Sequence, residues 1–351
     1  MRAIVQNKYG PPADVLRLAE IPRPAIAEDE VLVRVRAAAV HADLWHAVTG
    51  RPYSWRFMLG WRAPKRPVPG TDLAGVVESV GARVTRFKPG DEVFGETLRS
   101  FGLSNGGAFA EYASAPEQSL ALKPQNVTFE QASSVPSSGY IAFANLKRFE
   151  GSMEGQRALV NGAGGGVGTI ALQMLKARGA HVTAVDAEPK LAMLRSLGAD
   201  ETIDYARTNF LEHSLDQGIQ YDLIFDIASK FSLQECRRAL KPTGLFVWIG
   251  HEHYGRAKGG SLLGRGFPQM FRLMARSIFG DPNLPKMKFP MVIPSLQDAL
   301  AAMRDLMAEG KLVPYVEKAY PLESAAEAFR VLEEGKVLGK VVLALNQGDQ
   351  Q

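Results

Sequence analysis

The sequence has almost no cysteine and no long apolar run. Among 351 residues there is one cysteine, Cys236. It can form neither an intramolecular disulfide nor a multi-cysteine metal site, so we expect a reducing, cytoplasmic compartment. No apolar stretch approaches the roughly 18 residues of a membrane span, and the opening MRAIVQ is typical of a strand, not of a signal peptide. The sequence therefore predicts no membrane partner.

An excess of charge is also lacking, because 41 Lys and Arg against 37 Asp and Glu give a formal net charge of +4. The basic residues are scattered, without the stripe that is typical of a nucleic-acid-binding surface. One basic region, 256–276, is interleaved with Leu, Met and Phe, which favours an amphipathic helix over a nucleic-acid or membrane surface. We therefore expect no nucleic-acid partner.

The apolar pattern changes its period near residue 129. Before it, alternating runs such as VLVRVRAAAV (31–40) predict a mainly β region. After it, short continuous apolar runs alternate with helical ones, which is typical of a parallel sheet covered on both faces, a doubly wound α/β domain. Strands return near the C-terminus. We expect the first part of a β-rich domain over 1–128, a nucleotide-binding domain over 129–294, and a linking helix with a return to the first domain over 295–351.

Glycine is concentrated in VNGAGGGVG, which has five glycines between Gly162 and Gly168. A predicted strand precedes this stretch and a predicted helix, 169–178, follows. Glycine permits a tight turn and lets the backbone approach a diphosphate at the helix N-terminus. The pattern predicts a dinucleotide site, whose cofactor-binding residues are Ala163, Gly165, Gly166, Val167 and Gly168.

Asp186 lies 18 residues beyond Gly168, at the end of the next predicted strand. A carboxylate there accepts hydrogen bonds from a ribose hydroxyl and repels a 2′-phosphate, so the sequence favours NAD(H). Lys190 and Tyr205 follow closely and could offset that repulsion, which leaves NADP(H) open.

Other cofactor contacts follow from the rule that ligands lie outside the carboxyl ends of parallel strands. It selects backbone groups of Ala228, Ile249 and Gly250. Near the C-terminus, Gly339 could approach the same region, whereas we expect Lys340 to be a surface side chain.

Several ordered motifs resemble the medium-chain dehydrogenase/reductase superfamily and its zinc-free quinone-oxidoreductase-like branch. The resemblance implies a GroES-like, mainly β catalytic domain, a Rossmann domain, a substrate cleft where they meet, and a homodimer. The motifs are PVPGTDLAGVVESVGARVTRFKPGDEVFG (67–95), GGAFAEYASAPE (106–117), VNGAGGGVGTIALQMLKARGAHVTAV (160–185), SLGADETIDY (196–205) and GKVVLAL.

Zinc-dependent members place cysteine and histidine ligands at positions that correspond here to His41, Thr71 and Ser137. Of these, His41 alone is a good ligand, and catalytic zinc needs about three protein ligands. His46, Asp43 and Asp72 could be combined with it on paper, but we expect no metal site.

Without zinc, the developing negative charge must be delocalised within the substrate. The sequence therefore predicts hydride transfer from a reduced nicotinamide to a small-molecule quinone or α,β-unsaturated carbonyl. Two alternatives stay open: a metal-free alcohol or aldehyde dehydrogenase, and a nucleotide-binding sensor or scaffold without catalysis.

His41 and Tyr53 are the candidate catalytic residues, since an imidazole titrating near neutral pH or a phenol could donate to a substrate carbonyl. Burial explains His41 equally well. Ser137 and Ser138 are expected to open a helix, and Ser138 is a candidate cofactor contact. Apolar residues of GFPQMFRLMARSIFG are expected to cover the sheet, form a dimer seam or line a pocket. Secondary donor candidates are His251, His253 and Tyr254.

Overall fold

A computed structural model describes residues 1–99, 105–147, 151–250, 266–284 and 294–345. The chain divides into two compact units. The first comprises Met1–Tyr140 and the chain from Ser295 onward, and the second lies between Ile141 and Pro294. The sequence-based boundary after residue 128 precedes this division. His251, His253 and Tyr254 lie outside the described residues.

The first unit is built on a mostly antiparallel sheet and one separate pair of strands. The strands of this unit are β1 (Arg2–Gln6), β2 (Leu16–Glu20), β3 (Glu30–Val40), β4 (Asp72–Val80), β5 (Glu92–Glu96), β6 (Tyr112–Pro116), β7 (Leu120–Leu122), β13 (Val316–Pro321) and β14 (Lys340–Ala344). The order is β13-β14-β3-β4-β5-β7, with β6 paired to β3, while β1 and β2 form a separate antiparallel pair. Both ends of the chain therefore contribute strands to one sheet.

The alternation that predicted β3 reflects its two environments. Val31, Val33 and Val35 are fully buried in the core of the first unit, whereas Arg36 points outward. Phe329 packs into the same core from the C-terminal part of the chain.

Short helices surround this sheet, and some have well-formed caps. The helices are α1 (Pro12–Val15), α2 (Ala42–Thr49), α3 (Arg56–Leu59), α4 (Phe129–Ser133), α5 (Pro136–Leu146), α11 (Leu296–Ala308) and α12 (Ala325–Glu333), with 3-10 turns at Tyr53–Trp55, Glu117–Ser119 and Leu322–Ser324. Thr128 and Gln131 form a reciprocal capping box at the start of α4.

The second unit has the parallel sheet that its apolar runs predict. Its elements are β8 (Arg157–Asn161), α6 (Gly166–Lys176), β9 (His181–Asp186), α7 (Glu188–Ser196), β10 (Glu201–Asp204), α8 (Phe210–Asp216), β11 (Tyr221–Asp226), α9 (Leu233–Cys236), β12 (Leu240–Trp248) and α10 (Gly266–Ile278). The five strands are parallel and lie in the order β10-β9-β8-β11-β12. Along the chain, strands are added on one side of β8 up to β10 and then on its other side from β11, so the strand order reverses between β8 and β11. This is the Rossmann arrangement, with its ligand crevice at the reversal.

Helix α10 leaves apolar side chains in contact with solvent. Phe271 is 60% exposed and Ile278 is 55% exposed. These two residues therefore do not cover the sheet, which was one of the roles expected for them. No helix in the described ranges has both the length and the apolar character to cross a membrane.

Candidate functional site

The glycine-rich loop after β8 lies very close to the start of α6. Gly162 has a φ of +83°, a left-handed conformation that favours glycine. A Cβ at Gly168 would lie 2.4 Å from the Gly162 carbonyl oxygen, so glycine is needed there. A Cβ at Gly165 would meet nothing closer than 3.9 Å. The Gly165 side therefore faces open space at the α6 N-terminus, where a diphosphate would bind.

The other predicted loop residues divide into two groups. Ala163 is fully buried and its N–H donates to the Val185 carbonyl at 3.1 Å, so it positions the loop. Gly166 and Val167 form the first turn of α6 and are partly exposed. The helix begins at Gly166, three residues earlier than predicted, because Gly165 serves as its N-cap.

Asp186 holds the glycine-rich loop through its carboxylate. Its Oδ2 accepts the Gly164 N–H at 2.7 Å and its Oδ1 accepts the Ala187 N–H at 2.8 Å. Lys190 Nζ lies 3.7 Å from Oδ1. The Tyr205 N–H donates to the Asp186 carbonyl, and the Tyr205 side chain is half exposed. Asp186, Lys190 and Tyr205, the three residues predicted to influence the choice of cofactor, therefore lie close together in the structure.

Ala228, Ile249 and Gly250 follow the strand ends at the expected edge of the parallel sheet. The N–H groups of Ala228 and Ile249, however, already donate to other backbone carbonyls. The N–H of Ala228 donates to the Asn161 carbonyl at 3.3 Å, and that of Ile249 donates to the Asp226 carbonyl at 2.9 Å. Gly250 follows with a φ of +71°. Backbone contacts from Ala228 and Ile249 to a cofactor are therefore limited to their carbonyl oxygens.

In the first unit, three positions distant in sequence meet at Asp72. His41 Nε2 lies 2.8 Å from Thr71 Oγ1, and the Thr71 hydroxyl donates to Asp72 Oδ1 at 3.1 Å. Ser137 donates to Asp72 twice, from its N–H at 3.1 Å and from its hydroxyl at 2.5 Å. Ser138 is buried beside it in α5. The positions that the resemblance places around a metal are therefore brought together by hydrogen bonds.

These contacts fix the tautomer of His41. A threonine hydroxyl has a single proton, and Thr71 donates it to Asp72. Thr71 must then accept from His41, so Nε2 carries the imidazole proton and Nδ1 is left as the acceptor.

Glu96 and Lys340 add further charge to this network. Glu96 ends β5 directly opposite Asp72 in the β4–β5 register. Lys340 opens β14, one residue before Val341, which pairs with Val40 next to His41. Lys340 is 6% exposed, and its Nζ has no hydrogen-bond partner among the described residues. The expectation of a surface lysine was wrong, because β14 is a central strand whose first residue is covered.

Burial controls the ionisation of this group, which we call the buried cluster: His41, Asp43, Asp72, Glu96 and Lys340. Desolvation lowers the pKa of His41 to about 4, although the Asp72 carboxylate opposes this shift. Burial and the Asp72 charge raise the pKa of Glu96 well above its usual value. Burial also raises the pKa of Asp43 to about 6, although some of its surface reaches solvent. His41 is therefore neutral at physiological pH.

The two remaining candidates are His46, inside α2, and Tyr53, on the turn that follows α2. His46 Nδ1 donates to the Arg51 carbonyl at 2.7 Å and its ring lies 4.4 Å from that of Trp55, so it stabilises the loop. Tyr53 lies on the following turn, is 37% exposed, and has the Arg56 guanidinium 4.8 Å from its ring centre. A catalytic role for Tyr53 stays a prediction.

The hydroxyls at Asp72 suit hydrogen bonding and are not among the usual ligands of zinc. Zinc binds imidazole, thiolate or carboxylate, whereas two of the three corresponding positions here are the hydroxyls of Thr71 and Ser137. Both hydroxyls donate to Asp72. In the described part of the chain, no three His, Cys, Asp or Glu side chains are grouped so that they could hold a metal.

Sequence reasoning missed two members of the buried cluster, Glu96 and Lys340. A signal for Lys340 was present: it opens the continuous apolar run VVLAL, which is typical of a buried strand. For Glu96 the sequence offers no comparable signal, because its burial depends on the β4–β5 pairing.

Comparison with known families matches both units. A model described as an alcohol dehydrogenase GroES-like domain matches residues 27–125, and one described as a zinc-binding dehydrogenase matches residues 197–343. The second description contrasts with the hydroxyl donors at Asp72.

Curated relatives match over nearly the whole chain. An NADPH-dependent alkenal/one oxidoreductase of Arabidopsis thaliana is 33% identical, over 98% of this chain and 79% of the relative. A chloroplastic quinone oxidoreductase of Triphysaria versicolor is 30% identical, over 98% of both chains.

A solved structure has the same fold. A crystal structure titled as an NAD-dependent alcohol dehydrogenase superposes with a TM-score of 0.77 at 30% identity, covering 99% of this chain and 100% of the other.

Proposed function

Because this chain belongs to the medium-chain dehydrogenase/reductase superfamily, in its quinone-oxidoreductase-like branch, we propose that it transfers hydride from a nicotinamide cofactor to a quinone or an α,β-unsaturated carbonyl. The chain is an oxidoreductase with a GroES-like unit and a Rossmann unit. One observation carries the choice of substrate class: His41, Thr71 and Ser137 are joined by hydrogen bonds at Asp72, at the positions where the family resemblance implies metal ligands in zinc-dependent members.

That observation supports chemistry without a catalytic zinc. Oxidation of a simple alcohol needs stabilisation of an alkoxide, which a Lewis acid normally supplies. In a quinone or enone, the negative charge that arrives with hydride spreads to the carbonyl oxygen. The enzyme then needs to supply only substrate orientation and hydrogen bonds to that oxygen.

The residues of the chain have distinct roles in this proposal. When bound, the reduced nicotinamide supplies the hydride. The open side of the loop at Gly165 receives the diphosphate, and Asp186 fixes the loop through the Gly164 amide. The neutral imidazole of His41 is a positioning group, because its Nε2–H already donates to Thr71. The proton that completes the reduction comes from water or from the Tyr53 hydroxyl.

We propose NADPH as the better cofactor, although Asp186 alone favours NADH. A preference for NADH requires a carboxylate that faces the ribose. Both Asp186 oxygens instead accept backbone N–H groups, and Lys190 lies near enough to offset the charge. The Arabidopsis relative is itself named as NADPH-dependent.

Lys190 can be tested as the residue that accepts the 2′-phosphate. Lys190→Ala should lower kcat/KM for NADPH about tenfold, the effect of losing one charge-assisted contact, and leave NADH nearly unchanged. Arg238→Ala, which removes an exposed cation elsewhere in the second unit, is the matched control. A higher kcat/KM for NADH than for NADPH in the wild-type protein would contradict the NADPH preference.

The substrate class is tested by following nicotinamide absorbance with a panel of quinones, enones, aldehydes and simple alcohols. We expect turnover with the conjugated carbonyls and none with simple alcohols. The solved alcohol dehydrogenase at 30% identity favours a second function, metal-free alcohol oxidation. Nicotinamide reduction by alcohols, without reduction of enones, would select it. Cofactor binding without turnover on any panel member would contradict both functions.

A further inference from the structure

Residues 51–67 form an unusual segment of the first unit, here called the basic lip. Its sequence, RPYSWRFMLGWRAPKRP, has five Lys or Arg residues and four aromatic residues, and it has no Asp or Glu. One other stretch, 254–280, also has five Lys or Arg residues and no Asp or Glu, but it spreads them over 27 residues. The lip contains the turn at Tyr53–Trp55 and the single-turn helix α3.

The backbone of the basic lip is held by the body of the first unit. The Tyr9 hydroxyl donates to the Gly60 carbonyl at 2.7 Å. The Arg56 guanidinium donates to the Gly50 carbonyl and stacks 4.6 Å from the Tyr9 ring centre. Leu59 is 5% exposed, which anchors α3. The segment therefore has a fixed inner side.

The outer side of the lip presents large apolar side chains. Phe57 is 69% exposed, Met58 is 65% exposed and Trp61 is 61% exposed. The rings of Phe57 and Trp61 lie 5.1 Å apart. A Cβ at Gly60 would lie 2.2 Å from the Ala63 carbonyl oxygen, so glycine allows the sharp bend that places Trp61 beside Phe57. Apolar surface of this size, grouped at one place, is typical of an interaction site.

Four of the five cations of the lip form no ion pair with a described residue. Arg51, Arg62, Lys65 and Arg66 are exposed, and none of them takes part in an ion pair with another described residue. Some other exposed arginines of the chain do have ion-pair partners, such as Arg83 with Glu28 and Arg330 with Glu327. The lip thus combines unneutralised positive charge with aromatic rings.

This combination matches an anionic lipid surface. Tryptophan and other aromatic rings prefer the interfacial zone of a bilayer, and nearby lysine and arginine side chains contact lipid phosphates. We propose that the basic lip docks the protein onto an anionic bilayer, with Phe57, Met58 and Trp61 in the headgroup region and the four cations around them.

Such docking is peripheral and needs no spanning helix. The expectation of no membrane partner came from the lack of a long apolar run, which has no bearing on a contact of this kind. Docking would hold the protein where lipid-soluble quinones and unsaturated lipid aldehydes are concentrated. That consequence depends on the proposed substrate class, whereas the docking itself does not.

The test is flotation of the purified full-length protein with vesicles of phosphatidylcholine alone or mixed with phosphatidylglycerol. The wild-type protein should float with the anionic vesicles, stay behind with the neutral ones, and be released by high salt. The triple variant Arg62→Glu/Lys65→Glu/Arg66→Glu should lose at least about 100-fold in apparent partition coefficient. Phe57→Ser/Trp61→Ser, which keeps the charge, should lose about tenfold through the lost apolar burial.

The control variant is Lys88→Glu/Arg238→Glu/Lys336→Glu, which makes the same change in net charge at exposed positions outside the lip sequence. It should partition like the wild-type protein. Thermal unfolding of every variant verifies folding, and the salt release of the wild-type protein needs no variant. Equal flotation with neutral vesicles, an equal loss in the control variant, or selective capture of single-stranded nucleic acid in place of vesicles would each overturn the proposal. Failure to reduce quinones would leave the docking result intact.

Discussion

At the scale of single residues, the buried cluster depends on a lysine that has no hydrogen-bond partner among the described residues. Lys340 lies among Asp72, Asp43 and Glu96. Burial lowers the pKa of Lys340, although these carboxylates oppose the shift. Burying a lysine cation alone costs free energy. Burying the three carboxyl groups without a cation among them would cost more. The charge balance of the site therefore involves both ends of the chain, since Lys340 comes from the last strand.

Lys340→Met should destabilise the protein by about 3–5 kcal/mol at pH 7, because it leaves buried carboxylate charge uncompensated. The loss should shrink near pH 5, where Asp43, with its pKa raised to about 6, becomes neutral. Urea unfolding at both pH values measures it. Lys336→Met is the control, since Lys336 is exposed and should change little. A loss of equal size at both pH values would contradict this account.

The burial of His41 leads to a second prediction, which concerns the free energy of unfolding at acidic pH. Its pKa is about 6.5 in the unfolded chain and about 4 in the folded one, so protons bind the unfolded state preferentially between these values. The free energy of unfolding should therefore fall as pH decreases through that range, by about 2 kcal/mol down to pH 4.5. His41→Gln, whose amide can still donate to Thr71, should lack this fall, while the opposite contribution of Asp43 is common to both proteins. Parallel pH curves for the two proteins would show that His41 does not titrate as described.

Residue types alone could identify His41, Thr71 and Ser137 as one site only through a family resemblance. What they do there required the structure, because the tautomer of His41 depends on which way Thr71 donates. The same is true of Asp186, whose spacing correctly predicts its place beside the loop. Its hydrogen bonds to Gly164 and Ala187 depend on the backbone path, which no residue count gives.

At the scale of elements, the glycine-rich loop contains glycines that are needed for two different reasons, close packing and ligand access, which the sequence motif alone does not distinguish. Gly168 is required by close packing between the loop and α6, whereas Gly165 leaves space open. One position therefore serves the fold and the other serves the ligand.

Two alanine variants should separate these roles. Gly168→Ala should destabilise the protein by about 1–3 kcal/mol, since a backbone atom must move. Gly165→Ala should change stability by less than about 1 kcal/mol. It should nevertheless weaken NADPH binding at least about tenfold, because its methyl group occupies the open side. Thermal unfolding and titration calorimetry measure the two effects, and unchanged NADPH affinity in Gly165→Ala would rule out diphosphate binding at that side.

The strands of the second unit were predictable because buried parallel strands are continuous apolar runs, and Leu159, Ile224 and Phe225 are indeed fully buried. The sequence predicts a start of α6 at Thr169 that is three residues too late, because glycines are poor helix formers and the helix begins within them. The short helix α9 depends on a capping box between Ser232 and Glu235.

At the scale of the whole molecule, the homodimer implied by the family resemblance stays a prediction. Phe271, Ile278 and Phe279 on and after α10 are exposed and could form its seam. Light scattering should give twice the 38.2 kDa mass of the chain. Phe271→Ser/Ile278→Ser should shift the mass toward the monomer, whereas Phe57→Ser/Trp61→Ser should not. A monomeric wild-type protein would exclude this assembly.

The pairing of β14 with β3 has a consequence for synthesis on the ribosome. Val341 lies opposite Val40, so about three hundred residues are translated between the two partners. All strands of the second unit emerge in that interval. The nascent chain can therefore complete its nucleotide-binding unit first, while the edge of β3 that β14 will cover waits unpaired, and it is during this wait that we expect chaperones to be needed most.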